Sequence, residues 1–254
     1  MTISTERRDG ILRVGFARPE RKNAITAAMY AQLADALAQA AADGSVRAVL
    51  LHGSDTIFTA GNDLEDFLRD PPSGEASPVF RFLRALADAD KPLVAAVAGP
   101  AVGVGTTMLL HCDLVYAARG ARFSMPFSQL GLCPEAASSL LLPMLAGWQR
   151  AADKLLLGEA FDADEAREMG LVNRVLPADE LMPFVDGQLA RLARLPAASL
   201  RATKRLMKSG LRDAIVARMD EEGEQFRRML SEPAAREAFG AFFEKRRPDF
   251  SKLD

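Results

Sequence analysis

The stretch that decides the reading of this chain is Phe58 to Phe67, FTAGNDLEDF. It follows Ala48-Val49-Leu50-Leu51, an unbroken apolar run with the length of a buried strand, reaching from Ala48 to Gly53. Gly61 beside Asn62 then lets the backbone reverse before Asp63-Leu64-Glu65 opens a short helix. Such a turn can leave N–H groups facing a cleft.

A second unit repeats the plan. The apolar strand Pro92 to Ala98 runs into Gly99-Pro100-Ala101-Val102-Gly103-Val104-Gly105, and a helix is expected from Thr106 to His111. Two such loops side by side can offer two backbone donors to one developing negative charge, which is an oxyanion hole. Loops that are glycine-rich only for tight packing are the other reading of the same residues.

Working outward, Ile3 to Asp9 and Ile11 to Phe16 pair as a hairpin across Asp9-Gly10. Thr26 suits the N-cap of a helix carrying Met29, Leu33, Leu37 and Ala41 at helical spacing. Asp70 to Ser77 is the Pro/Gly/Ser-rich segment and reads as a mobile loop near the cleft. A helix from Pro78 to Ala89 leads to the second loop strand. Beyond it come strands Leu114 to Ala117 and Asn173 to Leu176, with a helix from Pro134 through Leu145 that places Glu135 in its first turn. From Leu181 the pattern is helical almost to the end.

FTAGNDL, together with KPLVAAVAGPAVGVGTTMLLHCDLVYA from Lys91 to Ala117, resembles the crotonase superfamily of enoyl-CoA hydratases and isomerases. The likeness extends from ARPERKNAIT at Ala17 to Thr26 through FFEKRRPDF at Phe242 to Phe250. It implies an α/β fold, the crotonase (ClpP-like) spiral of strand–strand–helix repeats, with residues 1–195 as a core and 196–254 as a C-terminal helical portion that trimerises. It also implies a homotrimer or a dimer of trimers, with Leu206, Met207, Leu211, Ile215 and Met219 helping to cover a subunit contact or the core.

The resemblance assigns the hole donors to the backbone N–H of Ala60 and of Val104. Hydratases of the family carry two Glu, and here those places hold Thr107 and Phe127, neither of which can act as a base. Instead PFSQLGLCPE, Pro126 to Glu135, resembles the 3,2-trans-enoyl-CoA (delta) isomerase branch, whose motif ends in the catalytic Glu. One carboxylate suffices to take a proton from C2 of a 3-enoyl thioester and return it to C4. The alternatives are a hydratase with a rearranged base, another crotonase activity, and a non-catalytic acyl-CoA-binding protein. An ordinary structural acid is the alternative for Glu135 itself.

For coenzyme A, which enters as part of the substrate, the same match gives Lys22, Ala24, Ile25, Thr59, Ala60, Asn62, Asp63, Leu64 and Lys245. Phe67, Met108, Phe127, Leu130 and Leu140 are the acyl-pocket candidates, with plain core packing the alternative for each. Glu65 and Asp66 are expected to face solvent, Asp113 to cap or anchor the strand that follows it, and His52 and His111 to be structural.

Composition excludes other classes. The 254 residues are 49 % apolar and 26 % charged with net charge -2, so no basic field argues for nucleic acid. Two Cys outside any CxxC spacing and two His do not make a usual zinc site, and no metal or further cofactor is expected. With no apolar run long enough for a bilayer, the expectation is a cytoplasmic protein of acyl-CoA and fatty acid metabolism.

Overall fold

The computed structural model describes residues 2–69, 74, 76–251 and 253. The expected mobile loop at Asp70 to Ser77 lies largely outside them.

Strands β1 (Ile3–Arg8) and β2 (Ile11–Phe16) form the hairpin, and Asp9 and Gly10 both take the left-handed φ that a tight two-residue turn requires. Helix α1 (Ala27–Ala42) starts where Thr26 accepts a hydrogen bond from the Met29 N–H. Strand β3 (Ala48–His52) and helices α2 (Leu64–Arg69) and α3 (Pro78–Asp88) follow. Next come β4 (Leu93–Val97), β5 (Pro100–Val102), α4 (Val104–Thr107), β6 (Leu114–Ala118) and β7 (Arg122–Ser124). Helices α5 (Ser138–Ala146) and α6 (Trp148–Ala152), strand β8 (Phe161–Asp162), helix α7 (Ala163–Glu168) and strand β9 (Arg174–Leu176) complete the mixed part. The chain ends in α8 (Ala178–Arg194), α9 (Ala197–Lys208), α10 (Arg212–Leu230) and α11 (Pro233–Glu244).

Six strands form one sheet in the order β1-β2-β3-β4-β6-β9, parallel from β2 onward, and β5-β7-β8 form a smaller sheet. Successive turns thus give a strand to each sheet and then a helix: β4-β5-α4, then β6-β7-α5. Strands in a parallel sheet are covered on both faces, so they read as continuous apolar runs. Alternation still sorts the residues: Val49 and Leu51 join the core under α1 and α3, while Leu50 points to Leu181, Val185 and Leu189 of α8.

The sequence misplaces the start of the helix after Glu135, and it matters. The helix expected from Pro134 begins at Ser138, because Ala136 and Ala137 adopt φ +60° and +56°. Glu135 therefore stands before that turn and not in the first turn of a helix. Of the predicted subunit-contact residues, Leu206 and Met207 are exposed, whereas Ile215 and Met219 are buried in the core.

Candidate active site

The two loops meet closely. A Cβ on Gly61 would lie 2.6 Å from the Val102 carbonyl oxygen, and one on Gly105 would lie 2.6 Å from Thr59 Cγ2. Glycine at these positions lets loop lie on loop, and Gly61 also has φ +84°. Val104 is the first residue of α4, where N–H groups have no intrahelical acceptor. Its N–H meets no acceptor among the described residues, and neither does that of Asn62. Both residues line a cavity of about 1110 Å³.

Ala60 is a correction. Its N–H donates to the Lys22 carbonyl oxygen at 3.0 Å, so it is spent on backbone pairing. The N–H left free in this loop is that of Asn62, two residues on. Its side chain is held by the Tyr30 hydroxyl, which donates to Oδ1.

Glu135 is 9 % exposed, and Thr107 Oγ1 donates to its Oε1. Thr107 sits one turn after Val104 on α4, so a single short helix carries both a free N–H and the hydroxyl that meets the carboxylate. Burial pushes the Glu135 pKa up to about 7, against the Thr107 hydrogen bond, with the nearby Glu222 carboxylate raising it further. A carboxyl group titrating near neutrality both accepts and returns protons readily. Glu135 is not on the wall of this cavity; Thr107 ties it to α4, whose first residue, Val104, is on that wall.

The cavity wall includes Lys22, Ala24, Asn62, Asp63, Leu64, Phe67, Phe127 and Leu130 from the predicted set. Ile25 and Thr59 are buried instead: Ile25 pairs through its backbone with Gly61 and Asp63, and the Thr59 hydroxyl donates to the Asn23 carbonyl oxygen at 2.6 Å. Met108 is fully buried and Leu140 packs against the core, so neither lines the cavity. Lys245 takes the left-handed φ that ends α11 and is likewise absent from the wall, where Arg246 and Arg247 stand.

The acids also sort differently. Asp63 pairs with Arg18 at 2.6 Å, and Glu65 pairs with Arg21 near the surface. Asp66 does not simply face solvent: its Oδ2 accepts from the Ala27 N–H at 2.7 Å, at the start of α1. Asp113 anchors β4 and not the strand that follows it, accepting from the Leu93 N–H at 2.7 Å. His111 is buried and neutral, its pKa pushed down to about 4 by desolvation, with Nε2–H donating to the Ala136 carbonyl oxygen.

A sequence model described as Enoyl-CoA hydratase/isomerase matches residues 6–252. The chain belongs to the enoyl-CoA hydratase/isomerase family. Among relatives of this family it is similar to 1,2-epoxyphenylacetyl-CoA isomerase of Escherichia coli (strain K12), 38 % identical over 251 residues and 95 % of each chain. It is also 38 % identical over 230 residues to enoyl-CoA delta isomerase 2 of Rattus norvegicus, covering 88 % of this chain and 59 % of that longer protein. A solved enoyl-CoA hydratase/isomerase from Pseudoalteromonas atlantica T6c superimposes with a TM-score of 0.94 at 44 % identity, over 98 % of this chain and all of the other.

In this member of the enoyl-CoA hydratase/isomerase family, sequence reasoning missed the aromatic cover supplied by α10 and α11. Phe226, Phe239, Phe242 and Phe243 line the cavity, and Phe226 stands edge-on to Phe67 at 6.0 Å and to Phe127 at 6.4 Å. Helical spacing in α10 pointed to core or interface residues; only the fold brings Phe226 over the cavity.

Proposed function

We propose that the protein is a 3,2-enoyl-CoA isomerase. The observation that carries this reading is the buried carboxylate of Glu135, bonded to a residue one helical turn from a hole donor, with Thr107 and Phe127 where a hydratase needs its Glu pair. Water addition needs one group to activate water and another to protonate the neighbouring carbon; a 1,3-proton shift needs one group that takes and returns the same proton.

In this reading the acyl-CoA thioester oxygen accepts from the N–H of Asn62 and of Val104. Glu135 removes a proton from C2 of the 3-enoyl chain, and the electron pair passes into a dienolate whose oxygen is held by those donors. The protonated Glu135 then delivers the proton to C4, leaving the 2-enoyl thioester. Atoms balance without water or a redox partner. The apolar wall of Phe67, Phe127 and Phe226 excludes water from the dienolate.

The test is to incubate the protein with 3-hexenoyl-CoA and, separately, with 2-hexenoyl-CoA, and to follow both by chromatography. Interconversion of the two with little 3-hydroxyhexanoyl-CoA is expected. Rapid hydration of 2-hexenoyl-CoA would return the protein to the hydratases. Binding without turnover of either would leave an acyl-CoA-binding protein.

A further inference from the structure

The turn that follows Glu135 is not one its own residues favour. Ala136 and Ala137 both sit in the left-handed region, which L side chains avoid and which alanine does nothing to offset. Ala137 is also the residue before α5, and it has no side-chain oxygen with which to cap that helix. Partners from elsewhere in the chain hold the turn.

Glu222, on α10, is 5 % exposed. Its Oε2 accepts from the Ala137 N–H at 2.6 Å and its Oε1 from the Ser139 N–H at 3.0 Å. One carboxylate therefore spans the entry to α5 and supplies the cap that Ala137 cannot. His111 Nε2–H on the Ala136 carbonyl oxygen, at 2.8 Å, and the Ser138 hydroxyl on the Glu135 carbonyl oxygen, at 2.6 Å, complete the clasp.

We propose that Glu222 is a positioning residue for Glu135, fixing from α10 the left-handed turn that presents the base and setting a negative charge beside it. The proposal rests on Glu135 being the base. The groups that face Glu135 are Tyr30 on α1, Thr107 on α4, Glu222 on α10 and Cys133 in the preceding loop. Facing Glu222 are the two N–H donors, the Ser139 hydroxyl, Cys133 and Arg218, whose Nη1 donates to that hydroxyl at 3.2 Å. Burial raises the Glu222 pKa, against its hydrogen bonds and Arg218, but both of its oxygens accept from backbone N–H groups, the arrangement of the ionised carboxylate, and its charge raises the proton affinity of Glu135. One turn further along α10, Phe226 reaches the cavity wall, so the helix that holds the base also touches the acyl side.

Glu222→Gln, Glu222→Asp and Glu135→Gln are compared with the parent in isomerisation of 3-hexenoyl-CoA, with kcat, KM and the pH profile of kcat/KM read for each. In Glu222→Gln the acid limb of the profile moves to lower pH by about one unit, because a like charge no longer opposes ionisation of the base. Its kcat falls by about tenfold or more from lost alignment, with KM within about twofold, as misplacement of a reacting group predicts. Glu222→Asp keeps the charge and loses the reach, so the acid limb stays while kcat falls. A folded Glu222→Gln protein with the parent's acid limb and kcat overturns the proposal. Should that variant not fold, parental kcat in Glu222→Asp overturns it equally. An active Glu135→Gln protein removes the base itself and the proposal with it, whereas an inactive one beside a parental Glu222→Gln removes only the role of Glu222.

Discussion

Thr107 donates its hydroxyl hydrogen bond to the Glu135 carboxylate from the position where hydratases of the family carry a glutamate of their own. A residue that cannot move a proton thereby tunes one that can. The bond favours the ionised form, against the burial that raises its pKa to about 7. Thr107→Val preserves shape and deletes the donor, in a position with no exposure. A hydrogen bond to a charged group contributes about 1.5–3 kcal/mol, so the Glu135 pKa should rise by about one unit or more. The acid limb of kcat/KM should move upward correspondingly, and activity at pH 7 should fall about tenfold while activity at pH 9 recovers. An unmoved limb would separate Thr107 from the base.

Glu135 also has a cost in stability that depends on pH. Its folded pKa of about 7 lies above the ordinary 4.5, so between these values the folded state holds more proton than the unfolded state. Stability from this group is then full below pH 4.5 and is lost as pH rises through 7. At pH 8 the ionised form is disfavoured by on the order of 3 kcal/mol, at about 1.4 kcal/mol for each pH unit between the two values. Glu135→Gln, which keeps the acceptor for Thr107, should unfold at higher urea than the parent at pH 8 and with little difference at pH 4.5. Equal midpoints at pH 8 would show that the folded protein does not resist ionisation at this site.

Gly61 offers a test of the loop contact. Alanine there must accommodate φ +84° and a Cβ 2.6 Å from the Val102 carbonyl oxygen, which is backbone and cannot swing aside. Relief requires the two loops to part, moving Asn62 away from Val104. Loss of one oxyanion donor costs about 10²–10³ in kcat, and Gly61→Ala should fall in that range with CoA binding largely kept. Wild-type kcat in a folded variant would show that the donors do not need this contact.

Much of this arrangement was legible in the residues, because its signals are local. Two apolar runs ending in glycine loops, an Asp-Gly hairpin and an N-capping threonine each act over a few positions, and the corresponding elements form where expected. The errors came where a distant partner decides the outcome. Ala136-Ala137 looks helical by propensity, yet Glu222, some eighty residues later, and His111 hold it in a left-handed turn. Ala60 reads as the donor until the Lys22 carbonyl oxygen is seen to engage its N–H, which leaves that of Asn62 free. Asp66 looks solvated on a short helix until α1 brings the Ala27 N–H to it.

The C-terminal basic residues give a last prediction, in which pairing decides between neighbours. Lys245 ends α11 with its backbone and is not on the cavity wall. Arg246 is on the wall, but Glu237 accepts from both its Nη1 and Nη2, the latter at 3.0 Å, and Glu244 from its Nε. Arg247 is on the wall, exposed, and in no ion pair among the described residues, so its charge is available to a phosphate of CoA. Arg247→Gln should raise KM for 3-hexenoyl-CoA about two- to fivefold, the scale of an exposed ion pair of up to about 1 kcal/mol, and leave kcat unchanged because the contact is the same in ground and transition states. The difference should shrink in 0.5 M salt, where exposed charges are screened, and vanish for a hexenoyl thioester of N-acetylcysteamine, which carries no phosphate. Lys245→Gln should behave as the parent throughout. A KM effect in Lys245→Gln with none in Arg247→Gln would reverse the assignment and place the phosphates at the end of α11.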